Sequence, residues 1–270
     1  MTLVMGIVNV TPDSFSDGGR YLGANDAIAH ARALRDAGAD ILDIGGESTR
    51  PGAQRVAPET EQERVLPVVS ALAADGALVS IDTMNASTAH AAVAAGARIV
   101  NDVSGGLADP EMFAVVAKSG ADIVLQHWRG YSDDMYAQAT YSNVGLELVA
   151  ELESRVHAAA AAGISPDRII LDPGIGFGKR GIQNWHALHA LEDIVAIGPR
   201  VLVGTSRKKF IADALAAASP GREVTEARRD LATAVTSVLA AQSGVWAVRV
   251  HDVAATRDAL AVWQNWENPS

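Results

Sequence analysis

A (β/α)8 barrel, in which eight parallel strands close into a ring surrounded by helices, is the fold class that this sequence predicts. Short apolar runs recur eight times along the chain, and alanine-rich stretches long enough for helices separate them. Glycine is a common stop just past a helix, and it stands at the end of seven of these stretches, at Gly38, Gly76, Gly96, Gly120, Gly163, Gly198 and Gly244. Eight alternating β and α units favour the barrel over the alternative, a doubly wound open sheet.

The predicted strands are the apolar runs themselves. They cover residues 3–8, 41–44, 78–81, 99–100, 123–125, 169–171, 201–203 and 246–250. Helix starts agree with this order, because Asp109 precedes a proline and because Asn143, Ser206 and Asp252 stand where N-caps belong. Pro67 falls inside the second helical stretch, which we expect to be kinked or to restart there.

Three connections are longer than βα loops usually are. They span residues 11–22, 48–58 and 128–141, after the first, second and fifth predicted strands. Loops in these positions surround the ligand site of a barrel, so we expect the three to act as lids or substrate walls.

The length and composition fit one large domain or two small ones, either with a sizeable core, and we expect a single domain, residues 1–270. The chain is 49% hydrophobic and 20% charged. It has no cysteine, which excludes disulfides, thiolate metal sites and cysteine nucleophiles. A net charge of −10 argues against non-specific binding of nucleic acid. Without a basic leader or an apolar run of membrane-spanning length, the expected location is the cytoplasm.

Polar side chains stand at the carboxyl end of nearly every predicted strand, where a barrel brings them to one pocket. One set has the hydrogen-bonding groups that suit a polar heterocycle: Asp82, Asn101, Asp172 and Lys208. A second set has the donors and cations that suit an anion such as diphosphate: Thr49, Arg50, Arg249 and His251. Since Arg249 and His251 are two residues apart, they point to the same side of the strand.

Each of these residues also has an ordinary structural interpretation. A single acid at a strand end is more often a helix cap, and an arginine such as Arg249 more often pairs with a surface acid. His186 and His189 fit a solvated helix face better than a metal site. The glycines of residues 172–179 are spaced G-x-G-x-G, which is a weak match to a dinucleotide-binding loop. Several such groups on separate strands favour function over these alternatives.

Seven segments closely resemble the signatures of the bacterial dihydropteroate synthases, in the order of that family and over nearly the whole chain. They are MGIVNVTPDSFSDGG (5–19), GGESTRPG (45–52), SIDT (80–83), NDVSGG (101–106), DPGIGFGK (172–179), SRK (206–208) and RVHD (249–252). The resemblance implies a (β/α)8 barrel, usually dimeric, that acts in folate biosynthesis. Such an enzyme joins 4-aminobenzoate to the diphosphate of 6-hydroxymethyl-7,8-dihydropterin and releases 7,8-dihydropteroate and diphosphate.

The resemblance also implies roles for individual residues. It assigns pterin binding to Asp82, Asn101, Asp172 and Lys208, and diphosphate binding to Thr49, Arg249 and His251. It assigns Mg²⁺ binding to Asn9, and 4-aminobenzoate binding to Phe15, Arg50, Pro51, Phe177 and Lys209. The implied catalytic residues are Asp17, Lys208, Arg249 and His251. A carboxylate such as Asp172 can accept two parallel hydrogen bonds from the guanidinium-like edge of a pterin. Mg²⁺ prefers oxygen ligands and keeps several waters, so one protein ligand suffices.

Two positions depart from the family pattern. Gln126 stands at the fifth strand end, where methionine is usual beside the pterin. Lys209 adds a second cation that would hold the benzoate carboxylate or point to solvent, and base rates favour solvent. Two rival functions stay open: a pterin-dependent methyltransferase domain, which needs no diphosphate site, and a non-catalytic pterin-binding paralogue, which needs no closing loop.

Overall fold

A computed structural model describes residues 1–10, 20–47, 55–131 and 135–268. Its eight strands are all parallel and close into a barrel in sequence order, with β1 pairing with both β2 and β8. The strands are β1 (Leu3–Asn9), β2 (Ile41–Gly45), β3 (Val79–Asp82), β4 (Ile99–Asp102), β5 (Asp122–Gln126), β6 (Ile169–Asp172), β7 (Arg200–Val203) and β8 (Ala247–Val250). The predicted single-domain (β/α)8 barrel is confirmed.

Ten α-helices lie in the described ranges. They are α1 (Arg20–Asp36), α2 (Pro58–Ala74), α3 (Ala86–Ala94), α4 (Met112–Ser119), α5 (Val144–Ala161), α6 (Ile182–His189), α7 (Leu191–Ala196), α8 (Lys209–Ala218), α9 (Glu226–Gln242) and α10 (Val253–Glu267). Two connections carry a pair of helices each: α6 and α7 join β6 to β7, and α8 and α9 join β7 to β8. None of the helices described is long and apolar enough to cross a membrane.

The barrel interior is built in layers by the two-residue alternation of the strands. Its lower layer is a small apolar core of inward-facing side chains: Met5, Ile41, Ile99, Val124, Ile170, Leu202 and Ala247. The alternate residues of the same strands face outward and join the larger core against the helices, as Leu42 and Ile44 do on β2. Residues two positions beyond the lower layer therefore face inward again, closer to the mouth of the barrel.

The helix ends mostly follow the sequence signals. All seven glycines expected as helix stops have positive φ, from 75° at Gly76 to 118° at Gly198. Asn143 accepts a hydrogen bond from Leu146 N at 3.1 Å, and Asp252 accepts one from Ala255 N at 3.0 Å, so both are the N-caps predicted.

One local prediction, the N-cap role of Ser206, was wrong. Ser206 does not cap a helix, because α8 begins at Lys209 and the Ser206 hydroxyl is engaged by His251. Asp109 caps the turn that leads into α4, since its Oδ1 accepts from Glu111 N at 3.0 Å, and its Oδ2 also accepts from Ala86 N at 2.8 Å at the start of α3. Of the two outcomes expected at Pro67, a kink or a restart, the restart does not occur, because helix α2 continues through it to Ala74.

Candidate active site

A layer of polar side chains lies directly above the apolar layer inside the barrel, two residues further along the strands. Its members, buried or nearly so, are Asp43 on β2, Asn101 on β4, Gln126 on β5, Asp172 on β6 and Arg249 on β8. The same alternation that packs the lower core thus aims five polar groups at the carboxyl ends of the strands. Together with Asp82 on β3, they form the candidate site.

Arg249 ties three strands of this layer together. Its Nε donates to Asp43 Oδ2 at 2.6 Å, and its Nη2 donates to Asp82 Oδ2 at 2.8 Å. Asn101 Nδ2 donates to the same Asp43 oxygen at 3.0 Å. Arg249 therefore pairs with two buried acids, rather than with the surface acid that base rates favoured.

The charge state of Asp82 depends on opposing effects. Burial raises the pKa of Asp82 to about 7, the neighbouring Asp43 adds to this, and Arg249 favours the ionised form. Burial also raises the pKa of Asp172, and the ammonium of Lys208 opposes that rise. The carboxylates of the site are thus costly to ionise and rely on Arg249 and Lys208 as counter-charges.

Lys208 and Asp172 face each other across the loop that follows β6. Asp172 Oδ1 accepts a hydrogen bond from Gly174 N at 2.7 Å, and Lys208 Nζ donates to the carbonyl of Ile175. The Lys208 ammonium lies 4.9 Å from the ring centroid of Phe177. Burial lowers the pKa of Lys208 to about 8, although Asp172 pulls it upward.

The glycines of this loop are required by close approaches. Gly174 has φ 63°, and a Cβ there would lie 2.2 Å from the carbonyl oxygen of His127. Gly176 has φ 83°, and a Cβ there would lie 2.9 Å from Lys208 Cδ. These glycines let the loop fold against its neighbours, rather than cradle a dinucleotide.

Lys179, at the end of the same loop, is a buried cation to which the sequence analysis gave no role. It is 1% exposed, and its Nζ lies 3.0 Å from His127 Nδ1, 3.0 Å from Gly174 O and 3.1 Å from Phe177 O. Burial lowers the pKa of Lys179 to about 7, with Asp172 opposing. Its contacts fasten both ends of the turn that carries Ile175.

His127 and Glu151 continue this network toward the surface. His127 Nε2 lies 3.0 Å from Glu151 Oε2, and Glu151 in turn pairs with Arg129. Burial, helped by Lys179, lowers the pKa of His127 to about 4. His127 is therefore neutral near pH 7, with Nδ1 free to accept a hydrogen bond from the Lys179 ammonium.

Ser206 and Arg207 lie at the mouth of the barrel after β7, where their side chains stabilise the local structure. Ser206 Oγ lies 2.9 Å from His251 Nδ1 and accepts from His251 N at 3.2 Å, which fixes the imidazole. Arg207 has φ 57°, and no other non-glycine residue in the described ranges has positive φ. Its guanidinium donates two hydrogen bonds to the Asp230 carboxylate, of 2.7 and 2.8 Å, which stabilise the left-handed backbone conformation of Arg207 immediately before Lys208.

The remaining predicted site residues divide into three groups. Asn9 ends β1 at the mouth, where it is half-buried. Lys209 pairs with Asp213, and its side chain is 84% exposed, which agrees with the solvent-facing alternative rather than with a benzoate contact. Five predicted residues lie outside the described ranges: Phe15, Asp17, Thr49, Arg50 and Pro51.

The structure brings most of the predicted pterin and diphosphate residues to one mouth. Asp172 is linked electrostatically to both Lys208 and Arg249, and Arg249 contacts Asp82 directly. Among the residues described, no group of three or more His, Asp or Glu side chains is placed to hold a metal ion. The contacts of Asp43, Lys179 and Ser206 were not predicted. Asp43 stands two residues after the inward-facing Ile41, and this spacing was the signal that could have shown its place in the polar layer.

Comparisons with known proteins agree with this arrangement. The chain matches the family model described as "Pterin binding enzyme" over residues 5–251. It is 51% identical to the dihydropteroate synthase of Mycobacterium leprae (strain TN), over 97% of this chain and 93% of that protein.

Solved structures give the same result. Xanthomonas albilineans dihydropteroate synthase with 4-aminobenzoic acid has a TM-score of 0.91 and 43% identity, and the match covers 100% of this chain and 94% of that one. The same enzyme in complex with 7,8-dihydropteroate has a TM-score of 0.87 and 41% identity, covering 100% and 95%. The family match over residues 5–251 places this (β/α)8 barrel among the pterin-binding enzymes. Within that class, this chain belongs to the dihydropteroate synthase family.

Proposed function

We propose that this chain condenses (7,8-dihydropterin-6-yl)methyl diphosphate with 4-aminobenzoate to give 7,8-dihydropteroate and diphosphate. The observation that carries the proposal is the buried polar layer, where acids and an amide from four strands meet Arg249 and Lys208 at one mouth. A coupled assay of diphosphate release with these two substrates tests it. Release that requires both substrates is expected, and no release would contradict the proposal.

The pterin ring is assigned to Asp82, Asn101, Asp172 and Lys208. Asp172 is buried and lies opposite a cation, which suits a carboxylate that accepts paired hydrogen bonds from the amino-pyrimidinone edge. Lys208 would donate to an oxygen or nitrogen of the ring. Its backbone partner, the Ile175 carbonyl, keeps the ammonium at this edge of the mouth before a ligand arrives.

The diphosphate is assigned to Arg249 and His251, together with Thr49. Two of the guanidinium nitrogens of Arg249 are used by Asp43 and Asp82, which leaves Nη1 for an anion. His251 is oriented by Ser206 from the neighbouring strand end. Thr49 and Arg50 belong to a stretch that the structure does not describe, so their parts in anion and aminobenzoate binding stay predictions.

Asn9 is the residue that would hold Mg²⁺. Its amide oxygen fits a hard cation that takes few protein ligands and completes its shell with water and substrate oxygens. When bound, Mg²⁺ supplies charge neutralisation for the leaving diphosphate. Titration of Mg²⁺ against diphosphate binding, in the wild type and in Asn9→Ala, tests the assignment; equal metal dependence in both would contradict it.

The reaction is proposed to be dissociative. The bond from the pterin methylene carbon to the diphosphate oxygen breaks with its electron pair going to oxygen, and the dihydropterin delocalises the resulting cation. The neutral aniline nitrogen then attacks that carbon and loses a proton, so no strong base is needed. Arg249 and His251 stabilise the departing charge, and Asp17 is proposed to shield the cation. Positional oxygen-isotope exchange in the diphosphate without 4-aminobenzoate is expected; no exchange would contradict this order.

The two rival functions differ in what they require. A methyltransferase domain would use the heterocycle residues but would not need Arg249 and His251 at the mouth, where the structure places both. A non-catalytic binder would bind the pterin without turnover. The diphosphate-release assay separates all three, because release that depends on 4-aminobenzoate occurs only in a synthase.

A homodimer is proposed from an apolar stripe on the outer surface of the barrel. Leu231, Val235 and Leu239 recur every four residues along α9 and are 53–66% exposed, and Val262 and Trp266 extend the stripe on the neighbouring α10. A second copy related by two-fold symmetry would cover this face with its own stripe. Light scattering should show a dimer in the wild type and a monomer in Val235→Glu. The matched control is Leu107→Glu, which changes an exposed leucine elsewhere and should leave the dimer intact.

A further inference from the structure

Asp43 lies at the centre of the polar layer, with no exposed surface. Its Oδ2 atom accepts two hydrogen bonds, one from Arg249 Nε at 2.6 Å and one from Asn101 Nδ2 at 3.0 Å. These donors belong to different halves of the proposed substrate site, since Arg249 is assigned to the diphosphate and Asn101 to the pterin. One carboxylate oxygen therefore contacts both halves.

The barrel does not need a carboxylate at this position in order to pack. Ile41, two residues earlier on the same strand, fills the equivalent position in the layer below with an aliphatic side chain. A buried carboxylate also carries a desolvation cost, which a hydrophobic side chain of similar size avoids. What Asp43 contributes must therefore come from the groups that it holds.

The second oxygen of Asp43 supports this interpretation. Asp43 Oδ1 is buried and has no hydrogen-bond partner among the residues described, and neither does Ser80 Oγ, which lies on the register partner of Asp43 in β3. A buried acceptor without a partner is an unusual and costly feature. The carboxylate is thus held on one side only, by the two ligand-binding residues.

We propose that Asp43 is a positioning residue that sets the orientation of both Asn101 and Arg249. In this way it couples binding of the pterin ring to binding of the diphosphate. This inference rests on the proposed function. When an anion draws the guanidinium of Arg249 outward, the shared oxygen loses one donor, and its bond to Asn101 changes in response. Asp43 would act through these two side chains rather than by direct contact with a substrate.

Calorimetry with two separate probes tests this coupling. The probes are 6-hydroxymethyl-7,8-dihydropterin for the ring half and inorganic diphosphate for the anion half. Asp43→Asn keeps the side-chain shape and removes the charge, so both dissociation constants should rise about tenfold, the loss expected for a charge-assisted hydrogen bond. In an Asn101→Ala background, Asp43→Asn should no longer weaken the pterin probe, because the residue through which it acts is gone.

The matched control is Asp102→Asn on β4. Asp102 is equally buried, but its oxygens hold Ser104 and Gly106 in the turn after the strand and contact neither ligand residue. Both probes should bind this variant within about twofold of the wild type, whatever the change in melting temperature. If Asp43→Asn weakens only one probe, or changes melting temperature alone, the coupling is refuted.

A measurement on the unchanged enzyme keeps the inference testable if Asp43→Asn does not fold. The side-chain amide resonance of Asn101, identified by its loss in Asn101→Ala, should shift when inorganic diphosphate saturates the wild type. No shift would overturn the coupling. If the wild type binds neither probe, the proposed function fails instead, so the two failures are distinguishable.

Discussion

Asp172 is one of the residues proposed to bind the pterin. It is buried, and its carboxylate faces Lys208 and Arg249 without a direct hydrogen bond to either. Asp172→Ala should therefore cost about 2 kcal/mol or more of pterin binding, the typical loss of a charge-assisted hydrogen bond. Calorimetry with the pterin alcohol measures this directly. Unchanged affinity in the variant would remove Asp172 from the pterin site.

Lys208 predicts a pH dependence of binding. Its pKa is lowered from 10.5 to about 8 by burial, so the free enzyme loses this ammonium as the pH rises through 8. Pterin affinity should fall between about pH 7 and 9, because a neutral amine is a weaker donor to the ring. Lys208→Met should bind more weakly and show no such fall. A wild-type affinity that stays constant over this range would contradict the assignment.

The loop of residues 172–179 is the element on which the site depends most. Gly176→Ala places a methyl group 2.9 Å from Lys208 Cδ, so the lysine must move and pterin affinity should fall about tenfold. Gly221→Ala is the control, since Gly221 has a similar φ of 79° but nothing within 4 Å of its added Cβ. Both variants share the backbone strain. Equal pterin affinities in the two would show that Lys208 adjusts freely.

The network behind this loop predicts acid sensitivity. His127 has a pKa of about 4 in the folded protein, against 6.5 when unperturbed. Between these values the unfolded chain binds a proton that the folded chain does not, so stability is complete above pH 6.5 and is lost as the pH falls toward 4. The loss is about 3 kcal/mol at most. Urea unfolding of the wild type and His127→Gln should give free energies of unfolding whose difference narrows toward pH 4. A difference that is independent of pH would refute the assignment.

Local sequence signals explain the helix ends better than the loops. Asn143 and Asp252 cap the helices that follow them, because an N-cap uses only residues within one turn. Asp109 also accepts a hydrogen bond from Ala86 N, 23 residues earlier at the start of α3, and Ser206 contacts His251, which follows β8. Such partners are set by the closed ring, so no local pattern distinguishes them from caps.

At the scale of the whole molecule, the ion cluster around Arg249 joins β2, β3 and β8. Arg249→Met leaves two buried carboxylates without their cation, so the free energy of unfolding should fall by about 3–5 kcal/mol. Arg32→Met, which breaks an exposed pair with Asp75, should cost about 1 kcal/mol or less. Denaturant titration compares the two, and equal losses would show that the cluster does not stabilise the barrel.

The barrel itself could be predicted from the sequence, because its strands and helices repeat with a regular period and end at glycines. The residues that line the mouth were also predictable, since strand ends converge in this fold. The contacts of Asp43 and Lys179 were not. They depend on which residues of different strands come into register, as Met5 does with Arg249, and on how deeply the closed ring buries them.

The pairing of β1 with β8 has a consequence for how the chain folds during its synthesis. Asp43 and Asp82 leave the ribosome long before Arg249, which lies on the last strand. Until that strand arrives, the nascent chain would have to bury two acids with no cation between them, so the ring should stay open and hydrated. Ribosome-stalled chains that end before residue 247 should therefore be sensitive to protease along β2 and β3. Only chains whose eighth strand has left the ribosome should become resistant.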